Sequence, residues 1–233
     1  MALKKTKTEL AHIAEACKIT DEIFAKIIGE LFSASRRIET ERELALFIRR
    51  EIKNRGLREA FPPIVTSGPR AGNEIHPKPT KEVLAGFVIL DFGVRIHGYC
   101  SDMTRTIFVG TPTAQDRALY ALVQKSKNAG EKMAKAGAKC AAADAAARKA
   151  LDKYSKYFIH TLGHGVGRRI HELPRIYFKR TADTFEEGMA VTVEPGIYIP
   201  KKLGIRIEDT YSVGKTGLTA LTRSPQKLLI FKK

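Results

Sequence analysis

Four acidic residues inside apolar segments constrain this chain more than any other feature of its 233 residues. Asp91 closes the apolar run VILD and Asp102 follows eleven residues later, whereas Glu194 and Glu208 are embedded in AVTVEPGIYI and GIRIEDT. A carboxylate among β-branched residues is costly to bury unless a cation or a proton accompanies it. Any fold that buries these segments therefore has to bring positive partners to the four carboxylates.

The first two carboxylates are predicted to lie on one face of a β-hairpin. A turn at His97-Gly98 would pair Asp91 with Asp102 across the two strands, so that both side chains can point to the same side. Two buried carboxylates repel each other unless a cation or a proton lies between them. The alternative is that each aspartate caps a turn, which is common for aspartate beside glycine.

The other two carboxylates are predicted on a second pair of strands, Met189 to Ile199 and Gly204 to Val213, around the turn at Pro200. Arg206 could neutralise one of them, but strand alternation places it on the face of Glu208 and leaves Glu194 without a partner. Two hairpins with two inward carboxylates each would form a cage for hard or borderline divalent cations.

A histidine-rich segment, HTLGHGVGRRIHELP, adds nitrogen ligands to this pattern. His160, His164 and His171 occur within twelve residues, in a chain that has six histidines. Histidines four residues apart can share one face of a helix, but the three glycines between them favour loop or strand. We therefore expect these histidines at a site that the backbone approaches closely.

The rest of the pattern predicts a single α+β domain. A helix-rich beginning, a strand pair, two more helices and a strand-rich end follow one another without a linker. Helices are predicted from Leu10 to Phe32, from the capping box Thr40/Glu43 to Gly56, from Thr113 past Met133, and from Cys140 to Leu151.

Charge and composition limit the partners and the location. With 41 Lys and Arg against 25 Asp and Glu, the net charge is +16, which would attract nucleic acid, ribosomes or anionic membranes. The positive residues are spread along the chain, so a solvated surface is the first interpretation and a docking surface the second. Three scattered cysteines, no secretory signal and no apolar run of about 20 residues predict a cytoplasmic protein without a membrane partner.

The segments that carry these residues resemble the pita-bread fold metallopeptidases, the group of methionine aminopeptidase, aminopeptidase P, prolidase and creatinase. The resemblance extends over essentially the whole chain and implies a curved antiparallel sheet covered by helices, with pseudo-two-fold halves. It implies two divalent metal ions, Mn²⁺ or Co²⁺ in the first place, with Zn²⁺ and Fe²⁺ as alternatives. The implied ligands are Asp91 for the first ion, His164 and Glu194 for the second, and Asp102 and Glu208 as bridges between both.

The resemblance also implies roles in catalysis. A hydroxide that bridges the ions would attack the peptide carbonyl, and Glu194 would carry its proton to the leaving amine. His171 and His76 would donate hydrogen bonds to the substrate carbonyl or the tetrahedral intermediate. His160 would line the substrate cleft, and Arg206 is expected to contact the substrate.

Two motifs, EPGIYIP and GIRIEDT, are similar to aminopeptidase P and prolidase, which cleave before proline. GRRIHELPRI is also similar to methionine aminopeptidases. The predicted function is therefore removal of an N-terminal residue from peptides, with Xaa-Pro sequences preferred and methionine aminopeptidase as the alternative.

Further alternatives are a creatinase-like hydrolase and a non-catalytic pita-bread module that binds nucleic acid or protein. The complete ligand set argues against the binding module, because several carboxylates in a core without a metal would be destabilising. We expect residues 1–233 to be one catalytic domain without the N-terminal domain of prolidase and aminopeptidase P. A homodimer is a further hypothesis.

Overall fold

The computed structural model describes residues 3–33 and 38–232. Three of its four α-helices begin at a capping box, and the fourth has no side-chain cap. Thr6, Thr40 and Thr113 each accept a hydrogen bond from the backbone N–H three residues on, where an acidic side chain bonds back to the cap. Short 3-10 helices cover Gly68–Gly72 and Asp152–Tyr157. The α-helices are α1 (Lys7–Phe32), α2 (Glu41–Lys53), α3 (Ala114–Met133) and α4 (Cys140–Ala150).

These helices agree with the predicted ones, apart from their ends. α3 ends at Met133 instead of continuing past it, because Ala134 already has an extended backbone. The predicted cap of α2 at Gly56 has the left-handed conformation, with a φ of 70°, that glycine adopts readily. None of the helices within the described part of the chain is long and apolar enough to cross a bilayer.

Short strands form the rest of the fold. They are β1 (Arg58–Glu59), β2 (Ile64–Ser67), β3 (Gly86–Phe92), β4 (Val94–Ile96), β5 (Tyr99–Cys100), β6 (Met103–Val109), β7 (Gly163–Gly165), β8 (Glu172–Ile176), β9 (Ala190–Val193), β10 (Gly196–Ile199), β11 (Leu203–Arg206), β12 (Asp209–Val213), β13 (Leu218–Ala220) and β14 (Ile230–Phe231). The five-stranded sheet has the order β13-β12-β9-β7-β8 and the four-stranded sheet the order β14-β6-β3-β2, while β1-β4-β5 and β10-β11 form smaller sheets. The pairs are antiparallel, except that β14 runs parallel to β6.

The first hairpin turns at His97-Gly98 as predicted, and both turn residues have positive φ. Its predicted register was wrong, because the two-residue turn pairs Asp91 with Thr104 and not with Asp102. Asp102 lies two positions nearer the turn, in the gap between β5 and β6. Residues two apart on a strand share a face, so the two aspartates are diagonal neighbours on one side of the hairpin.

The second pair of predicted strands is divided into four. Each strand is interrupted at its glutamate. The register is the same on both sides of the interruption, where Val193 pairs with Asp209 and Gly196 pairs with Arg206. Glu194 and Glu208 therefore lie opposite each other within the interruption. Pro195 contributes to the break because proline cannot donate a ladder hydrogen bond.

Two helix pairs cover the sheets on separate sides. α1 and α2 pack with β2, β3, β4 and β6 in one hydrophobic core, and α3 and α4 pack with β8 to β12 in the other. Each half thus combines a helix pair with a carboxylate-bearing hairpin, as the predicted pseudo-two-fold arrangement requires. The halves meet at β6 and β11, where the Thr106 hydroxyl donates to the carbonyl of Arg206 over 2.7 Å.

Candidate metal centre

The meeting point of the two hairpins collects the predicted ligands. Ligand atoms of Asp102, His164 and Glu208 lie within 4.8 Å of one another, and all three residues are buried. The Nε2 atom of His164 is 3.3 Å from Glu194 Oε1 and 3.6 Å from Asp102 Oδ2. Asp91 lines the same cavity. The fold therefore brings four carboxylates and one imidazole into a single cluster.

Strand β6 of the first hairpin fixes Glu208 of the second. The Thr104 hydroxyl donates to Glu208 Oε2 over 2.6 Å, and the Glu208 N–H donates to the Thr104 carbonyl over 3.0 Å. Arg105 donates to the Glu208 carbonyl over 2.5 Å. Neighbouring protein groups thus hold both the side chain and the backbone of this glutamate.

Arg206 holds Asp91. Its Nη2 donates to Asp91 Oδ2 over 2.6 Å, while Nη1 donates to the Tyr198 hydroxyl over 2.7 Å and Nε to the Thr104 hydroxyl over 3.0 Å. Arg206 is 1% exposed and is not among the residues that line the cavity. Arg206 was expected to contact the substrate, and Glu208 was considered as its partner. Its observed partners are instead Asp91, Tyr198 and Thr104. Arg206 is placed to orient an aspartate.

Electrostatics favour cations at this cluster. Burial raises the pKa of Asp102 and of Glu208 well above its usual range, and the neighbouring carboxylates raise both further. Burial also raises the pKa of Asp91, although Arg206 opposes this shift. Removing these groups from water while they repel one another is costly without added positive charge.

The donor set fits divalent metal ions. The Oδ1 atom of Asp91 is buried and has no hydrogen-bond partner among the described residues. Buried polar atoms are normally satisfied, so an unpartnered carboxylate oxygen on a residue that lines the cavity fits a position for a cation. Four carboxylates with one imidazole are ligands that suit hard and borderline divalent ions.

Glu194 differs from the other carboxylates. Burial raises its pKa, but the hydrogen bond with His164 and the nearby histidine charges outweigh this and lower the pKa to about 2. The Thr192 hydroxyl donates to Glu194 Oε1 over 3.3 Å and accepts the His164 N–H over 3.1 Å. Glu194 is also less buried than Glu208 and lines the cavity. It is thus an ionised carboxylate with access to bound molecules.

The other three predicted histidines have different surroundings. His76 and His171 are exposed and line the cavity. The ring of His171 stands edge-on to that of His164 with centroids 4.3 Å apart, and partial desolvation of the ring together with His164 lowers the pKa of His171 to about 4. His160 is partly buried and is not among the residues that line the cavity, and its Nε2 is 2.9 Å from the Tyr198 hydroxyl. As predicted, the segment that carries His164 and His171 is strand and loop, not helix.

Tyr198 was not predicted from the sequence. Its hydroxyl links His160 to Arg206, and through Arg206 to Asp91. Strand alternation contained a signal for it, because Tyr198 lies four residues after Glu194 and so on the same face. The identity of its partners depends on the meeting of two hairpins distant in sequence.

A buried charge network behind the cluster was also missed. Asp209 follows Glu208 directly, and its carboxylate is 2.6 Å from Arg105 Nη2 and 2.7 Å from Lys127 Nζ. All three charged groups are almost fully buried. The sequence did contain a signal for this network, because Arg105 and Asp209 are charged residues inside the apolar segments DMTRTIFV and GIRIEDTYSV. Because Arg105 also holds the Glu208 carbonyl, this network supports a predicted ligand from behind.

The cluster opens into a cavity of about 740 Å³. Helix α2 forms one wall, and two proline-containing segments form another part of the lining. The lining residues outside the ligand cluster are Arg42, Ala45, Leu46, Arg49, Phe61, Pro62, Pro63, Ile64, His76, Pro77, Lys78, Pro79, Ile170 and His171. The size is within the range of about 300–1,000 Å³ typical of small-molecule and peptide-sized sites.

Comparison with known proteins gives consistent matches. The chain is 38% identical over 229 residues to the Xaa-Pro dipeptidase of Pyrococcus furiosus. The alignment covers 97% of this chain and 64% of that protein. The solved structure of the Xaa-Pro dipeptidase from Bacillus anthracis superposes with a TM-score of 0.90 at 39% identity, covering 98% of this chain and 64% of that one. The X-Pro aminopeptidase from Thermotoga maritima superposes with a TM-score of 0.91 at 32% identity, with the same coverage. The chain thus spans about 64% of the length of these relatives.

The superpositions confirm the predicted pita-bread fold. A family model described as metallopeptidase family M24 matches residues 11–215, which include all five predicted metal ligands. The chain belongs to metallopeptidase family M24.

Proposed function

We propose that this chain is the catalytic part of a metal-dependent peptidase that removes the N-terminal residue from peptides in which proline is second. The observation that carries the proposal is the buried cluster of Asp102, His164 and Glu208, joined by Glu194 and Asp91. The names of the relatives, Xaa-Pro dipeptidase and X-Pro aminopeptidase, support this specificity.

Five residues would hold two divalent ions. Asp91 would bind the first ion, His164 and Glu194 the second, and Asp102 and Glu208 would bridge both. We propose Mn²⁺ or Co²⁺ as the ions, with Zn²⁺ and Fe²⁺ as the alternatives, since carboxylates with one imidazole suit each of them. When bound, such ions make a water molecule acidic near neutral pH and polarise the peptide carbonyl.

The protein's own groups would complete the reaction. Glu194, ionised and open to the cavity, would accept a proton from the attacking water and deliver it to the leaving nitrogen. His171 stays neutral down to a pH of about 4, so its ring can donate a hydrogen bond to the substrate carbonyl. His76 lines the same cavity and would provide a second donor.

A chain of hydrogen bonds would orient the first ligand. His160, Tyr198 and Arg206 connect in sequence and end on Asp91. Since partners of metal ligands fix their direction and basicity, we assign His160 and Arg206 to positioning within this proposal. The earlier expectation that they contact the substrate directly remains a prediction for His160 and is disfavoured for Arg206 by its burial.

A substrate panel tests the specificity. Metal-stripped protein is reloaded with Mn²⁺ or Co²⁺ and offered Ala-Pro, a longer Ala-Pro peptide and Met-Ala-Ser, and release of the first residue is followed by mass spectrometry. Cleavage of the proline peptides alone supports the proposal, and their ratio separates dipeptidase from aminopeptidase action. Cleavage of Met-Ala-Ser alone would establish the methionine aminopeptidase alternative. No cleavage with either ion, nor after reloading with Zn²⁺ or Fe²⁺, would favour another substrate or a binding module.

Location and assembly are further proposals. The three cysteines are free and buried, which fits a reducing compartment, and we propose the cytoplasm. The net charge of +16 fits contact with nucleic acid or the ribosome, and a homodimer is an additional hypothesis. Salt-dependent retention on RNA and the mass measured by light scattering would test these two proposals.

A further inference from the structure

The cavity continues beyond the metal cluster along helix α2. Arg42, Ala45, Leu46 and Arg49 line this part of it. Arg42 and Arg49 are seven residues apart, which corresponds to a rise of about 10 Å along an α-helix. An extended peptide advances about 3.3 Å per residue, so the α2 wall is as long as about three residues. A dipeptide held at the metal cluster would leave this wall uncovered.

The α2 side of the cavity is positively charged, because Arg42, Arg49 and Lys78 line it and the acidic lining residues all belong to the metal cluster. Arg42 and Lys78 are exposed, and their charged ends have no ion pair or hydrogen bond within the described residues. Arg49 has one ion pair, a partly exposed contact of 3.0 Å from its Nε to Glu59. Every acidic residue that lines the cavity belongs to the proposed metal ligands. The outer part therefore attracts anionic groups.

The remaining lining is apolar and stiff. Leu46 is 55% exposed on the α2 wall, a large fraction for a leucine. Phe61, Pro62 and Pro63 follow one another in the lining, and Pro77 and Pro79 flank Lys78. Proline fixes its φ angle, so these segments hold their shape without a bound partner. An apolar lining that contains separate positive side chains can contact both the body and the carboxylate of a peptide. A free inorganic anion would use only the positive side chains.

We infer that the wall formed by α2 and Lys78 is a subsite for the peptide residues that follow the cleaved bond, and that it selects peptides with a carboxylate there. The inference rests on the proposed function, because anchoring the N-terminal residue at the metal cluster directs the rest of the peptide outward. The carboxylate can come from an Asp or Glu side chain or from the C-terminus of a short peptide. Arg42 and Lys78 would be its partners.

Peptides that differ in one charge test this subsite. The amidated peptides Ala-Pro-Ala-Glu-Ala, Ala-Pro-Ala-Gln-Ala and Ala-Pro-Ala-Lys-Ala are compared by kcat/KM with the metal-loaded protein. We expect the Glu peptide to be cleaved about tenfold better than the Lys peptide at low salt, and the difference to shrink at high salt. The Gln peptide with a free C-terminus, compared with its amide, measures the contribution of a terminal carboxylate.

Charge-reversal variants locate the effect. The double variant Arg42→Glu/Lys78→Glu should reverse the order of the Glu and Lys peptides. The matched variant Lys215→Glu/Lys227→Glu changes two exposed lysines outside the cavity by the same total charge and should keep the order. Equal kcat/KM for all peptides in the unmodified protein, or an unchanged order in the first double variant, would overturn the inference.

Peptide binding separates this inference from the proposed function. If no proline peptide is hydrolysed, the proposed function fails, and C-terminally labelled Glu and Lys peptides are then compared by fluorescence anisotropy on the metal-loaded protein. Tighter binding of the Glu peptide, lost in Arg42→Glu/Lys78→Glu, would support the subsite alone. Equal binding of the two peptides would refute it.

Discussion

Arg206 Nη2 lies 2.6 Å from one carboxylate oxygen of Asp91, while the other oxygen of Asp91 is buried and has no partner among the described residues. Arg206 thus fixes one oxygen of Asp91, Oδ2, and leaves the other, Oδ1, available to a ligand. Asp91 interacts electrostatically with Glu194 and Asp102, so a bound cation would relieve repulsion between these like charges. Substitutions on both sides of this contact test the account.

Arg206→Lys is expected to lower kcat/KM about 100-fold. Lysine keeps the charge but cannot contact Asp91, Tyr198 and Thr104 together, so the orientation of Asp91 is lost. Weaker partners of a metal ligand typically lower metal affinity by about 10–100-fold. The measurement is a metal titration followed by kinetics, with the exposed Arg117→Lys as the matched control. Unchanged metal affinity and kinetics in Arg206→Lys would contradict the positioning role.

Asp102→Ala is expected to abolish activity and to lower the metal content. The variant removes a carboxylate that we place between the two ions. Both ions would therefore lose a ligand at once. Elemental analysis and the Ala-Pro assay give the two readouts, and the exposed Glu22→Ala serves as a control for carboxylate removal. Retained turnover with two bound ions would show that the ligand assignment is wrong.

His171→Ala is expected to keep both ions and to lose most of kcat. The His171 ring lines the cavity and stands beside His164, but we do not place it among the metal ligands. A group that acts on the substrate mainly during the reaction affects kcat more than metal content. Loss of metal in this variant would mean that the ring belongs to the metal site.

The metal-free protein is expected to lose stability as the pH rises. The pKa values of Asp102 and Glu208 are raised in the folded state, so the folded protein binds more protons than the unfolded chain. Their contribution to stability is therefore present below the unfolded pKa values of about 4 and is lost as the pH rises through the folded values. Melting temperatures measured in EDTA from pH 4 to 8 check the sign. A rising melting temperature over this range, with no gain on adding Mn²⁺, would speak against a metal-dependent cluster.

Asp209→Ala is expected to destabilise the fold by about 3–5 kcal/mol, because it leaves Arg105 and Lys127 buried without their carboxylate. The exposed pair of Arg180 and Asp183 provides the comparison, since breaking a surface ion pair costs about 0–1 kcal/mol. Urea unfolding of Asp209→Ala and Asp183→Ala measures both. Similar small losses in the two variants would show that the buried network does not stabilise the centre.

Local signals predicted most of the secondary structure. The capping threonines located the starts of α2 and α3, and glycines excluded a helix around His164. Carboxylates within apolar strands pointed to a metal cluster because the cost of burying them is a property of the residues themselves. These inferences needed no knowledge of distant contacts.

Relations between distant segments could not be predicted in the same way. Hairpin register depends on turn geometry, so the expected pairing of Asp91 with Asp102 was displaced by two residues to Thr104. Strand alternation suggested Glu208 as a possible partner of Arg206, whereas the meeting of the hairpins pairs Arg206 with Asp91 across 115 residues. Tyr198 was missed for the same reason.

Metal stoichiometry measured together with hydrolysis tests the central claim most directly. Metal-stripped protein is titrated with Mn²⁺, bound ions are counted by elemental analysis, and Ala-Pro hydrolysis is recorded at each step, with Co²⁺, Zn²⁺ and Fe²⁺ in parallel. The account predicts two ions per chain and hydrolysis that appears only as the ions bind. Hydrolysis by the metal-stripped protein, or saturation with ions that Asp102→Ala binds equally well, would contradict it.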